Sequence, residues 1–207
     1  MNDTQLQASQ PQASASRPLR AAQPSPTLSG RRVLLGVTGS IAAYKACILV
    51  RLLVRAGAEV TVAMTEAACR FVTPLTFRTL SRRPVALDAF AEPESWSPEH
   101  VSLADWCDVL VVAPCTADAA AKFASGLAGD LLSSTFLACR KPKLLAPAMN
   151  DGMWDNPATQ DNFATLRRRG VCIVEPDTGD LACGTSGRGR MPEPEIVLAA
   201  ATALLAK

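Results

Sequence analysis

The sequence predicts an α/β domain, a Rossmann-like or flavodoxin-like, mostly parallel sheet of five or six strands with helices on both faces. Two observations predict it. Short, continuous apolar runs such as Arg32-Val-Leu-Leu-Gly-Val-Thr38 and Asp108-Val-Leu-Val-Val-Ala-Pro114 suit strands buried on both faces. Between such runs lie longer stretches with apolar residues at helical spacing, so strand and helix alternate along the chain.

The elements follow in order. Residues 1 to 30 hold five Gln, five Ser, five Ala and four Pro, with only Asp3, Arg17 and Arg20 charged. So little apolar content cannot offset the entropy of ordering, and the segment reads as a disordered tail ahead of one domain spanning 31 to 207. The Arg32 strand leads into a helix from Ile41 to Ala56 that stops at Gly57, and Glu59-Val-Thr-Val-Ala-Met64 is the next strand. A helix near Ala67 to Leu80 and a short strand at Pro84 to Leu87 follow. The Asp108 strand precedes an Ala-rich helix from about Thr116. Lys143 to Ala148 and Val171 to Glu175 are further strands, with a helix around Ala158 to Arg169 between them. Glu195 to Lys207 closes the chain as a helix.

Composition excludes several classes of function. The chain has 207 residues, 48% hydrophobic and 19% charged, with a formal net charge of +2 and no long Lys/Arg run, so it carries no footprint of a nucleic-acid binder. A domain of this size buries a core without disulfide or metal staples. Seven cysteines form no CxxC pair, and Cys47, Cys69, Cys107, Cys139 and Cys172 sit in or beside apolar runs, which suits a reducing cytoplasm. No signal peptide and no run of about 18 apolar residues is present, so no membrane span is expected. One histidine and no paired cysteines exclude a His-rich metal site, and no metal is expected.

In such sheets ligands bind outside the carboxyl ends of the strands, here Thr38-Gly39-Ser40, Met64-Thr65, Ala113-Pro114-Cys115-Thr116 and Pro147-Ala148-Met149-Asn150. At the first of these ends, Gly39 permits close approach to a ligand, and Ser40 offers a hydroxyl and an N–H at a positive helix end. Neither the P-loop ending nor GxGxxG is present, so a mononucleotide phosphate suits the segment better than a dinucleotide. His100, before the Asp108 strand, is either a structural histidine or a base. Asn150 either orients a carboxylate beside the apolar wall of Met149, Met153 and Trp154 or caps a helix. Leu181-Ala-Cys-Gly-Thr-Ser-Gly-Arg-Gly-Arg-Met191 reads as a flexible flap, and Cys183, beside Arg188 and Arg190, is the one thiol expected to have a lowered pKa.

Gly39-Ser-Ile-Ala-Ala-Tyr-Lys45, the His100 segment, Ala113-Pro-x-Thr-Ala117, Pro147-Ala-Met-Asn-x-x-Met-Trp154 and Ala182-Cys-Gly-x-x-Gly-x-Gly-Arg-Met191, in that order, resemble the flavin-dependent cysteine decarboxylases. The likeness runs from about Arg31 to the C-terminus; Asp118-Ala119 stands where the family usually carries Asn-Thr. The resemblance implies FMN with its phosphate near Gly39, Ser40, Ile41 and Thr65, and its ring near Ala113, Pro114, Cys115, Thr116 and Met149. It implies trimers, or dodecamers of trimers, with the flavin at a subunit interface and the histidine supplied by the neighbouring chain. His100 would be the base, Asn150 and Met153 would hold the substrate, Arg188 and Arg190 would close over it, and Cys183 would donate the last proton. The substrate implied is a phosphopantothenoyl-cysteine conjugate of coenzyme A biosynthesis. The alternative is the cysteine at a peptide C-terminus, and a third reading is a regulatory subunit that keeps the fold without turnover.

Overall fold

A computed structural model describes residues 27–88, 97–180, 184 and 186–206. The first element is β1 (Arg32–Val37), followed by α1 (Ala43–Arg55) and β2 (Glu59–Met64), then α2 (Glu66–Cys69), α3 (Pro74–Ser81) and β3 (Val85–Ala86). The second half runs α4 (Glu99–Trp106), β4 (Val109–Cys115), α5 (Ala117–Ser125), α6 (Leu131–Ala138), β5 (Lys143–Pro147), α7 (Asp151–Trp154), α8 (Pro157–Arg168) and β6 (Cys172–Ile173). A hairpin of β7 (Asp177–Asp180) and β8 (Ser186–Arg190) and the helix α9 (Pro194–Leu205) complete it.

Six strands form one parallel sheet in the order β3-β2-β1-β4-β5-β6, the Rossmann order rather than the flavodoxin one. The order reverses between β1 and β4, so the crevice for a ligand lies beyond the carboxyl ends of those two strands. Thr38 fixes that end. Its buried hydroxyl donates to the Pro114 carbonyl at 2.8 Å and accepts from the Thr116 N–H at 3.1 Å, tying the loop after β1 to the loop after β4.

Alternation along β1 sets two core layers. Val33, Leu35 and Val37 join Leu49, Leu53, Phe77 and Val197 under α1, α3 and α9, whereas Leu34 joins Leu110, Val112, Phe123 and Phe163 under α5, α6 and α8. All seven residues of β4 are buried, and each large side chain fully withdrawn from water contributes about 1.5–3 kcal/mol.

Four local readings change. Leu28, assigned by composition to the tail, is buried in the core, and its N–H donates to the Ala56 carbonyl at 2.8 Å; residues 1–26 lie outside the described residues. The single helix expected over Ala67 to Leu80 is two, because Pro74 cannot continue a helix and holds Thr73 extended at ψ 149°. The Ala-rich stretch after Thr116 is also two helices, separated at Gly126, which adopts φ 72°; α6 then restarts on an Asp130/Ser133 capping box. The Gly/Arg-rich flap forms an antiparallel hairpin, with Leu181, Ala182, Cys183 and Thr185 outside the described residues.

Candidate active site

Three adjoining cavities occupy the carboxyl edge of the sheet. The central one, about 660 Å³, is lined by the loop Thr38-Gly39-Ser40, by Thr65, by Thr116 at the start of α5, by Ser133 of α6, and by Ala148, Met149 and Met153 after β5. On one side lies a cavity of about 760 Å³ holding His100, which shares Thr65, Glu66, Gly129 and Asp130 with the centre. On the other side lies a cavity of about 470 Å³ under the hairpin, lined by Ile41, Tyr44, Lys45, Asn150, Asp180 and Arg190. Ser40, Ala148 and Met149 line both this cavity and the central one.

The expected phosphate segment is built by close packing. Gly39 has no room for a side chain, since a Cβ there would lie 2.5 Å from the Ala67 Cβ; Gly39 thus admits the close approach of α2 while also lining the central cavity. Ser40 Oγ accepts from the Ala42 N–H at 3.2 Å and so shapes the turn into α1, whose first residues face the cavities. Thr65 and Thr116 cap α2 and α5 with their hydroxyls. The α5 N-terminus opens on the central cavity with Asp118 in its first turn, and α1 begins three residues after Ser40, which lines that cavity. Helix α6 also begins there, but its end is already met by the Asp130 carboxylate. Ala113, Pro114 and Cys115 do not line the cavity. They lie inside the sheet, where continuous burial of β4 turns their side chains into the core, and Pro114 contributes through its carbonyl to Thr38.

Besides Glu66 of α2, the charged residues lining the central cavity form one cluster. Lys122 pairs with Asp118 at 3.0 Å and Asp130 at 3.3 Å. Burial pushes the Asp130 carboxyl up, but hydrogen bonds from Ser133 and the Lys122 charge outweigh it and hold the group below its ordinary range. The bond to Asp118 raises Lys122 in turn. Asp118, the departure from the expected Asn, is therefore the partner of a cavity lysine.

Asn150 performs the capping role. Its Oδ1 accepts from the Gly152 N–H at 2.9 Å at the start of α7, and the same residue lines the hairpin cavity, so capping and ligand placement are compatible. Met153 faces the central cavity instead. The two flap arginines part company. Arg190 lines the hairpin cavity and bonds Glu193 at 2.7 Å, whereas Arg188 leaves the cavities to pair with Glu175 at 2.8 Å over the Trp154 ring. Arg188 steadies the hairpin from outside.

His100 stands in the first turn of α4, half-buried, in a cavity separate from the one holding Asn150 and Arg190. The sequence pattern showed only that both segments end near strand termini, not on which side of the switch point each falls. Cys183 lies outside the described residues. A lowered thiol does occur elsewhere. Cys139, its Sγ 3.9 Å from Cys107 in the buried layer, is drawn down chiefly by the Cys107 thiol and then by Lys141 and Lys143, while that same contact and burial push Cys107 up. Sequence neighbours could not reveal this pair, 32 positions apart. Glu66, Asp130, Ser133 and Lys45 also line the cavities without having been singled out; among them only the Asp130-x-x-Ser133 box leaves a local signal.

Among the described residues no helix is long and apolar enough to cross a membrane, and no cluster of three or more His, Cys, Asp or Glu could hold a metal. Comparison with known proteins is consistent with this geometry. Residues 21–206 match the Flavoprotein family. The Coenzyme A biosynthesis bifunctional protein CoaBC of Bacillus subtilis is 50% identical over 171 residues, 83% of this chain and 42% of that protein, so the chain spans about two fifths of the length of such relatives. A cysteine-to-serine mutant of PPC decarboxylase complexed with pantothenoylaminoethenethiol superposes with a TM-score of 0.77 at 32% identity, covering 86% of this chain and 99% of the other. The FMN-dependent cysteine decarboxylase SpaF gives 0.76 at 31% identity, covering 87% and 99%. With so much of each domain matched, the chain belongs to the Flavoprotein family, among its FMN-dependent cysteine decarboxylases.

Proposed function

We propose that the chain binds FMN in the central cavity and decarboxylates the cysteine carboxylate of phosphopantothenoylcysteine, giving phosphopantetheine for coenzyme A synthesis in the cytoplasm. The observation that carries the reading is that Ser40 and Met149 line both the central cavity and the one holding Asn150 and Arg190, so a cofactor in the first would lie against a substrate in the second. The residues fit the group. A volume of about 660 Å³ lies within the range of cofactor pockets, and its wall combines the hydroxyls of Ser40, Thr65 and Thr116 with the apolar Ala148 and Met149. The α1 N-terminus, with no acidic residue in its first turn, favours a phosphate at the Ser40 end, away from Asp118 in the first turn of α5 and from Asp130.

An ordinary cysteine carboxylate cannot leave as carbon dioxide, because nothing accepts the electron pair. Bound FMN supplies the two-electron oxidation of the thiol-bearing carbon and later the return of those electrons. With that carbon at the thioaldehyde level, the C–CO₂ bond breaks and its electron pair moves to sulfur, giving an enethiolate. Around that chemistry the protein's own groups divide the work. Arg190 and the Asn150 carboxamide hold the carboxylate under the hairpin, with Met149 and Met153 excluding water. His100 takes the proton released on oxidation, and Cys183 gives the proton that completes the saturated thiol. The captured enethiol in the PPC decarboxylase cysteine-to-serine mutant supports the thiol's part in that enzyme. His100 and Asn150 line different cavities of one chain, an arrangement compatible with what the family resemblance implies, a histidine supplied to each substrate by a neighbouring copy in a trimer or a dodecamer of trimers.

Mass spectrometry of products from FMN-loaded protein tests the reading. Loss of carbon dioxide alone from phosphopantothenoylcysteine is expected. Loss of carbon dioxide together with two hydrogens from a peptide ending in cysteine, with the conjugate untouched, would establish the peptide-modifying alternative instead.

A further inference from the structure

Lys45 is buried, yet it lies on the α1 face toward the hairpin cavity and does not touch the central one. Its Nζ donates to the Met191 carbonyl at 2.8 Å and to Glu193 Oε1 at 2.9 Å. That same Oε1 accepts from Arg190 at 2.7 Å. One carboxylate oxygen therefore joins a buried ammonium to the guanidinium that lines the substrate cavity. Two further features belong to this arrangement. Glu193 is the N-cap residue of α9 but makes no side-chain cap bond there, its carboxylate being turned to the two cations. The Arg190 side chain crosses Gly179, where a Cβ would stand 3.4 Å from one guanidinium nitrogen.

We infer that Lys45 and Glu193 are positioning residues that set the guanidinium of Arg190 for the substrate carboxylate. The inference rests on the proposed function, which places that carboxylate between Asn150 and Arg190. Withdrawing an ammonium from water is unfavourable, and an apolar residue would fill an α1 position of this kind without that penalty. Among the described residues the ammonium is met by Met191 and Glu193, which flank the segment that carries Arg190, so its placement serves the hairpin rather than the core. Lys45 sits in the first turn of α1, four positions after Ile41, so it references Arg190 to the helix that follows the Ser40 turn of the cofactor cavity. An Arg190 lacking this anchor would keep its charge but sample many rotamers, and each would have to be frozen when the carboxylate binds.

The test compares two ligands that differ in the carboxylate. For FMN-loaded wild-type, Glu193→Gln and Lys45→Met proteins, the KM of phosphopantothenoylcysteine and the inhibition constant of phosphopantetheine are measured. Each variant is expected to raise KM about tenfold while changing the inhibition constant by less than about twofold, because only the first ligand meets Arg190 through a carboxylate. Lys45→Arg is expected to recover most of the loss. Arg190→Met combined with Glu193→Gln is expected to match Arg190→Met alone, since the second change acts only through the first. Flavin absorbance and circular dichroism verify folding. Equal losses for both ligands, or additive effects in the double variant, overturn the inference alone. Wild-type protein that does not decarboxylate the conjugate overturns the proposed function and the inference with it.

Discussion

The Met149 N–H donates to the Gly189 carbonyl at 3.0 Å, while a Cβ on Gly189 would stand only 2.3 Å from the Met149 carbonyl. The hairpin strand and the turn after β5 are thus seated backbone against backbone, and Gly189 holds φ 146°, a region side chains disfavour. Gly189→Ala is expected to lift the hairpin from Asn150. Strain of roughly 1–3 kcal/mol at such a site corresponds to about a 5- to 150-fold loss in kcat/KM if it all falls on hairpin docking. Steady-state kinetics measure it, with unchanged flavin binding as the control; full activity would show that the hairpin need not be seated.

How far this site could be read from the chain depends on whether a feature is local. The strand Glu59–Met64 is found where the apolar run places it, because five of its six residues are buried and leave a continuous signature. Helix α6 left none. Leu131, Leu132, Ser133, Thr135 and Phe136 are all buried, so no polar face marks its period and it merged with the Ala-rich stretch before it. Gly39 was identifiable as a close-approach glycine, but its partner, Ala67, comes from helix α2, 28 positions on. Lys45 and Glu193 meet across 148 positions, a distance no motif spans.

Asn150 separates stability from chemistry. Asn150→Asp keeps an oxygen for the Gly152 N–H, and aspartate caps as well as asparagine, so the melting temperature should hold while a second carboxylate repels the substrate and activity falls by more than about 100-fold. Asn150→Ala removes both functions and costs about 1 kcal/mol of stability besides. Thermal melts beside carbon dioxide release distinguish the two variants. An active Asn150→Asp enzyme would remove Asn150 from carboxylate binding.

Asp130 makes the stability of the central cavity wall depend on pH. Its carboxyl is held below the unfolded value of about 3.9, so its contribution is complete above that pH and disappears as pH falls through the lower folded value. Asn at this position would keep the cap but lose Lys122, which retains Asp118 as a partner. Asp130→Asn should therefore lower Tm by only about 1–3 °C at pH 7. The difference should shrink toward zero as the solution is acidified through the lowered folded value. A Tm difference independent of pH, followed by calorimetry, would mean that the carboxylate charge contributes nothing.

Separation of His100 from Asn150 within one chain gives a prediction about assembly. If each site takes its histidine from one copy and its asparagine from the next, His100→Asn and Asn150→Asp proteins are each inactive alone, but together they can build intact sites. A 1:1 mixture, dissociated and reassembled with FMN, places an unaltered His100 opposite an unaltered Asn150 by chance in about a quarter of the sites, so about a quarter of wild-type turnover should return. Sites formed within single chains would return none, since every chain then carries one defect. The mixing experiment thus decides whether the wall between the two cavities divides the catalytic groups of one subunit or marks where a neighbour enters.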